Sequence, residues 1–102
     1  MAVVTTAPDV AVAESLAIRV VEERLAACAN VIPGVTSIYW WQGEVQRDEE
    51  LLVVFKTTAG TLPSLRERLV ELHPYDVPEV LALPVPDGSE DYLDWVRQEV
   101  AG

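Results

Sequence analysis

Val35-Thr-Ser-Ile-Tyr-Trp-Trp41, then Gln42-Gly43, then Glu44-Val-Gln-Arg-Asp-Glu-Glu-Leu-Leu-Val-Val-Phe55 is the stretch that decides how this chain folds. Its first part is dense in β-branched and aromatic residues, which pack well on a pleated surface. Gln42-Gly43 is a two-residue connection with glycine in second place, which suits a hairpin turn. The return strand, Glu44 to Thr58, is polar from Gln46 to Glu50 and continuously apolar from Leu51 to Phe55. A long hairpin therefore occupies the centre of the chain, and its neighbours must be arranged around it.

Upstream, Ala2 to Ala7 has the short, apolar, β-branched pattern of a strand. Pro8-Asp9 breaks it, and Asp9 suits a helix cap. Ala13, Leu16, Ala17, Val20 and Val21 then recur at helical spacing, predicting a helix to about Ala27. The strand from Ala29 to Trp41 is expected to be broken at Pro33-Gly34. Downstream, Leu62, Leu65, Leu69 and Leu72 mark one face of a helix from about Thr61 to His73. Pro74 ends it, because a proline disfavours helical geometry in the residue before it. Glu79 to Leu83 reads as a fourth strand. Ser89 is positioned to cap a terminal helix carrying Tyr92, Leu93, Val96 and Val100. The order β-α-β-β-α-β plus one helix is the ferredoxin-like arrangement, an α+β fold. No linker or low-complexity stretch divides it, so residues 1–102 read as one domain.

Charge excludes several partners. Seventeen acidic residues face seven basic ones, for a net charge of −10, and Lys56 is the one lysine. Nucleic acid and anionic membrane surfaces both require clustered Lys and Arg. No apolar run approaches the length of a membrane span, and Met1 to Pro8 lacks the basic start of a secretory signal. Cys28 is the one cysteine, so no internal disulfide forms and a reducing cytoplasm is expected.

The strands carry more apolar residues than one subunit can cover. The two main helices shield one sheet face, so the other should be polar in a monomer. Ile38 to Trp41, Leu51 to Phe55 and Val80 to Leu83 are instead apolar on both faces. Self-assembly that buries the second face is the economical expectation.

The residues that bear chemistry are few. His73 is the one histidine, at a helix end. Cys28, flanked by small alanines, is expected to be a buried structural thiol. His73-Pro-Tyr-Asp-Val-Pro-Glu79 has two prolines and so presents Tyr75 and Glu79 in fixed directions. Trp40 and Trp41 are adjacent on a strand and point to opposite faces. One is expected against its own helices or the rim beside them, the other against a neighbouring subunit or an inter-subunit cleft. No phosphate loop, Ser-His-Asp set or zinc-protease motif is present, so no enzyme is expected.

Glu23-Arg-Leu-Ala-Ala-Cys-Ala-Asn30, Ile32-Pro-Gly-Val-Thr-Ser-Ile-Tyr-Trp40, Lys56-Thr-Thr58, His73-Pro-Tyr75, Val77-Pro-Glu79 and Tyr92-Leu-Asp-Trp95, with the opening Thr6-Ala-Pro8, together resemble the CutA family of divalent-ion tolerance proteins. The resemblance covers essentially the whole chain. It implies a ferredoxin-like subunit in a tight homotrimer, similar to the PII signalling proteins, with no enzymatic activity and with a link to tolerance of copper and other divalent cations. Some members are described with a copper site made of a cysteine just before Thr-Ala-Pro and two histidines before Pro-Tyr. Here Thr5 stands at the cysteine position and Leu72 at the first histidine position, leaving His73. The resemblance thus implies weak binding of Cu(II) or another divalent cation at His73, with Glu50 as a possible helper, since copper selects thiolate and imidazole ligands. Tyr39, Trp40, Trp41, Lys56, Tyr75, Glu79 and Trp95 are the expected interface or cleft residues. Three functions fit: a metal-binding tolerance protein, a PII-like trimer sensing a small ligand in inter-subunit clefts, and a non-catalytic scaffold.

Overall fold

The computed structural model describes residues 1–100. Strand β1 (Ala2–Ala7) leads to helix α1 (Val10–Glu22), then strands β2 (Cys28–Trp41) and β3 (Glu44–Lys56), helix α2 (Leu62–Leu72), strand β4 (Leu81–Leu83) and helix α3 (Glu90–Glu99). The strands form one antiparallel sheet in the order β2-β3-β1-β4, which is the ferredoxin-like order with α3 added.

Alternation along the strands sorts residues onto two faces. Val3, Thr5 and Ala7 of β1 pair with Phe55, Val53 and Leu51 of β3, and all six are buried. Against them pack Leu16 and Val20 of α1 and Leu65 and Leu69 of α2, all in the same buried cluster. Val4 and Thr6, with Leu52 and Val54 opposite, face the other way and stay half-covered.

The ends of α1 show what the sequence signals well and what it does not. Asp9 caps the start, its carboxylate accepting a 2.8 Å bond from the Val12 N–H. The helix stops at Glu22, short of the expected Ala27. Arg24 takes φ 61°, its N–H bonding the Val21 carbonyl while the Leu25 N–H bonds that of Val20. This is the double-bonded C-terminal closure that glycine usually supplies. An arginine performs it here, so the sequence carries no stop signal.

Pro33-Gly34 does not break β2. Ile32 pairs with Leu52 and Val35 with Glu50, so two residues stand against Leu51 alone. This is a β-bulge, and Gly34 at φ 80° supplies the left-handed residue it requires. The turn at Gln42-Gly43 holds both residues at positive φ, 51° and 79°, the type I′ geometry that matches strand twist.

Strand β4 is shorter than expected, three residues rather than five, and all three are exposed. Pro74 and Pro78 fall in the preceding stretch, which the chain carries across the open face of the sheet instead of along its edge. At the far end of that face Tyr92 of α3 reaches Cys28, 3.4 Å from Sγ to the phenol oxygen. Arg24, in the closure that ends α1, joins the same helix with a 2.9 Å ion pair to Glu99.

Candidate functional site

The bulge decides which side chains of the outer hairpin face inward. Uninterrupted alternation from Ile32 would put Thr36, Ile38 and Trp40 on the face of Leu52. The extra residue shifts the phase by one, so Val35, Ser37, Tyr39 and Trp41 share a face with Asp48 and Glu50 instead. On that face lies a cleft of about 650 Å³. Tyr39, Trp41, Asp48 and Glu50 line it from the hairpin, Thr6 from β1, and Tyr75, Asp76 and Glu79 from the proline-bracketed segment.

His73 fixes that segment. It caps α2 and is buried, and both ring nitrogens are engaged. Nδ1 accepts the Tyr75 N–H at 3.1 Å, which requires an unprotonated nitrogen, so Nε2–H donates to the Thr6 carbonyl at 2.7 Å. The ring also lies 4.7 Å from that of Tyr75. Tyr75 in turn donates its phenol to Glu50 Oε2 at 2.7 Å. Burial, and then the bond to Glu50, push the Tyr75 phenol well above its ordinary pKa, so it remains a donor. Tyr39 donates likewise to Asp48, and that bond holds its pKa up too.

The cleft is therefore acidic and aromatic together. Four carboxylates line it, and among the described residues no Lys, Arg or His does. Glu50 is only 8% exposed, and among the described residues its carboxylate bonds only a neutral phenol. The carboxylates are spread around the walls: among the described residues no three acidic, His or Cys side chains gather closely enough to hold a metal ion.

The expected site residues divide between this cleft and the rest of the subunit. Tyr39, Trp41, Glu50, Tyr75 and Glu79 meet in it, and His73 stands behind Tyr75. Thr5 and Leu72 lie elsewhere: Thr5 is fully buried on the helix-facing side, and Leu72 packs beside the core. Lys56 lies six residues along β3 from Glu50, about 20 Å away at strand rise, and bonds Asn30. With Cys28, Tyr92 and Trp95 it occupies the opposite end of the sheet, where the Tyr92 and Trp95 rings are 5.6 Å apart. A cleft combining Lys56 with Trp41 and Tyr75 does not exist within the subunit.

One further expectation is corrected. Cys28 is half-buried at the start of β2, not sealed in the core, because its side chain turns to the face away from the helices. Trp40 and Trp41 take opposite faces: Trp41 lines the cleft, and Trp40, 74% exposed, lies on the helix-side face beyond the reach of the helices. Asp48, Thr6, Ser37 and Asp76 carry no signal in the sequence that singles them out. Gln46, Asp48 and Glu50 do recur at the strand period, but their relation to Tyr39 depends on the bulge.

A family model described as CutA1 divalent ion tolerance protein matches residues 1–99. The chain is 55% identical over 96 residues to the divalent-cation tolerance protein CutA of Thermus thermophilus, covering 94% of this chain and 93% of that one. It is also similar to the solved divalent cation tolerance protein (Cut A1) of that organism, with a TM-score of 0.95 and 52% identity over 99% of this chain and 100% of the other. A third similarity is to the structure described as the periplasmic divalent cation tolerance protein CutA of Archaeoglobus fulgidus, at a TM-score of 0.94 and 32% identity, covering 98% and 97% of the two chains.

Proposed function

This chain belongs to the CutA1 divalent ion tolerance family, and from that premise we propose that it works as a non-catalytic homotrimer binding Cu(II) or other divalent cations weakly at the acidic cleft. The observation that carries the reading is the cleft itself: Asp48, Glu50, Asp76 and Glu79 line one concavity that no basic side chain among the described residues neutralises. Carboxylates are hard ligands and suit divalent cations. Affinity is weak because they do not converge and because Asp48 and Glu50 each commit an oxygen to a phenol. His73 adds an imidazole only if the ion displaces one of its two bonds.

Trimer formation is supported by the bare apolar surface of the outer hairpin, where Ile38, Trp40 and Val45 are all more than half exposed. Sedimentation at micromolar concentration is expected to return three times the 11.2 kDa chain mass. No helix among the described residues is long and apolar enough to cross a membrane. A reducing cytoplasm suits the unpaired Cys28.

Calorimetric titration of the tag-free protein with Cu(II) and Zn(II) tests the metal reading. Weak binding, further weakened in Glu50→Gln, is expected. Tight stoichiometric copper binding that survives both Glu50→Gln and His73→Ala places the metal elsewhere and overturns it. A second reading, a PII-like trimer that senses a small ligand, is favoured by one specific observation, the cleft's volume, which falls in the range of small-molecule sites.

A further inference from the structure

We propose that the cleft takes an organic cation, a primary ammonium or guanidinium group carried on an apolar chain. This rests on the same cleft as the functional reading above and deepens its small-ligand form.

Three observations lead to this ligand class. The first is size. At about 650 Å³ the cleft is far larger than a bare or partly hydrated ion requires, and its carboxylates are too scattered to chelate one. The second is an uncompensated charge. Glu50 is more than nine-tenths buried in the subunit, and among the described residues its side chain forms no ion pair and bonds Tyr75 alone. That bond occupies Oε2; no bond to Oε1 is formed among the described residues, and Oε1 is not sealed from solvent but stays open at the cleft. A buried carboxylate is stabilised by a cation with hydrogens to donate, and both ligand groups supply this.

The third observation is the wall. Tyr39 and Trp41 remain substantially exposed as they line the cleft, and Val77 adds apolar surface. Aromatic faces attract nitrogen-borne positive charge, and their bodies cover an alkyl chain. A hydrated metal ion gains little from such a wall. The two phenols complete the arrangement. Tyr75 and Tyr39 each hold one oxygen of Glu50 and Asp48, which orients the carboxylates. His73, through the Tyr75 N–H, fixes the segment from which Tyr75 reaches Glu50.

The same chemistry has two sources: a free amine or guanidine, and a Lys or Arg side chain of a second copy. Calorimetry and tryptophan fluorescence with agmatine at about 150 mM salt separate them. The free-ligand proposal predicts saturable agmatine binding to the assembled protein, with a tryptophan emission change. Glu50→Gln is expected to weaken it at least tenfold, as for loss of a hydrogen bond to a charged group. Trp41→Ala is expected to weaken it about threefold. Glu14→Gln, which removes the same charge from the exposed face of α1, leaves it unchanged. Circular dichroism and sedimentation of each variant confirm that fold and assembly are retained. Agmatine binding that is equal in Glu50→Gln and Glu14→Gln is general electrostatics and overturns the proposal. Absence of binding to the assembled protein also overturns it, and binding that appears only on dissociation assigns the cleft to a second copy's side chain. A Zn(II) titration run in parallel keeps the two readings apart: zinc heat that depends on Glu50 without agmatine heat rejects the organic cation alone.

Discussion

The inner and outer halves of the central hairpin share one ladder and differ in almost everything else. In the inner half, Val53 and Phe55 of β3 pair with Val31 and Ala29 of β2 and are fully buried beneath the two helices. In the outer half, Trp40 pairs with Val45 and Ile38 lies two residues away, and all three are exposed. β3 turns polar in the outer half, yet Ile38, Tyr39, Trp40 and Trp41 of β2 are apolar or aromatic and stay exposed, so composition alone does not set burial. Reach does. Helices of 13 and 11 residues extend about 20 and 16 Å, whereas the 14 residues of β2 extend about 46 Å. The described chain is correspondingly elongated, 44 Å by 25 Å by 21 Å. One half of the hairpin is covered by the subunit's helices, and the other is left uncovered by them.

The largest effect is expected from Phe55→Ala. It removes a fully buried ring and should cost about 3–5 kcal/mol in denaturant unfolding. A loss below about 1 kcal/mol would erase the distinction between the halves. Trp40→Ala examines the other side. Little is lost inside the subunit, so its cost should appear as weaker assembly and a melting temperature that depends on protein concentration. A variant that stays fully assembled and equally stable removes the outer hairpin from the interface.

Gly34→Ala probes the junction between the halves. No atom lies within 4 Å of the added methyl, so the cost is backbone strain at φ 80°, about 1–2 kcal/mol. Because the bulge sets the phase of the outer strand, this variant should also alter Trp41 fluorescence. An unchanged spectrum would mean that the phase does not depend on the glycine. The smallest effect is expected far from the hairpin, at Glu23. The Arg68 guanidinium bonds both its carboxylate oxygens at 2.9 Å and holds its pKa below the ordinary value. A lowered folded pKa adds stability above the unfolded value and loses it as pH falls through the folded one. The stability of Arg68→Ala and of the parent should therefore converge on acidification below about pH 4.5 and separate above it. This pair is exposed, so the separation is small.

Much of the fold is legible locally. The leucines of α2, the Asp9 cap, the Gln42-Gly43 turn and the proline after His73 act within a few residues, and each appears as its pattern requires. Local signals mislead where a residue performs a role usually held by another. Arg24 closes α1 in place of a glycine, and Pro33-Gly34 makes a bulge in place of a break.

The sequence by itself determined the element order, the apolar faces of α1 and α2, the acidic character and the family motifs, because periodicity and composition are properties of short windows. It also marked Tyr39, Trp41, Glu50, Tyr75 and Glu79 as residues to watch. Only the tertiary structure decided that these five meet and that Lys56 stands about 20 Å from Glu50, at the end of the sheet where Cys28 and Trp95 lie. The physical reason is phase. A single extra residue at Pro33-Gly34 reverses the facing of every later side chain on β2, and the partner it then meets is fixed by pairing between distant parts of the chain.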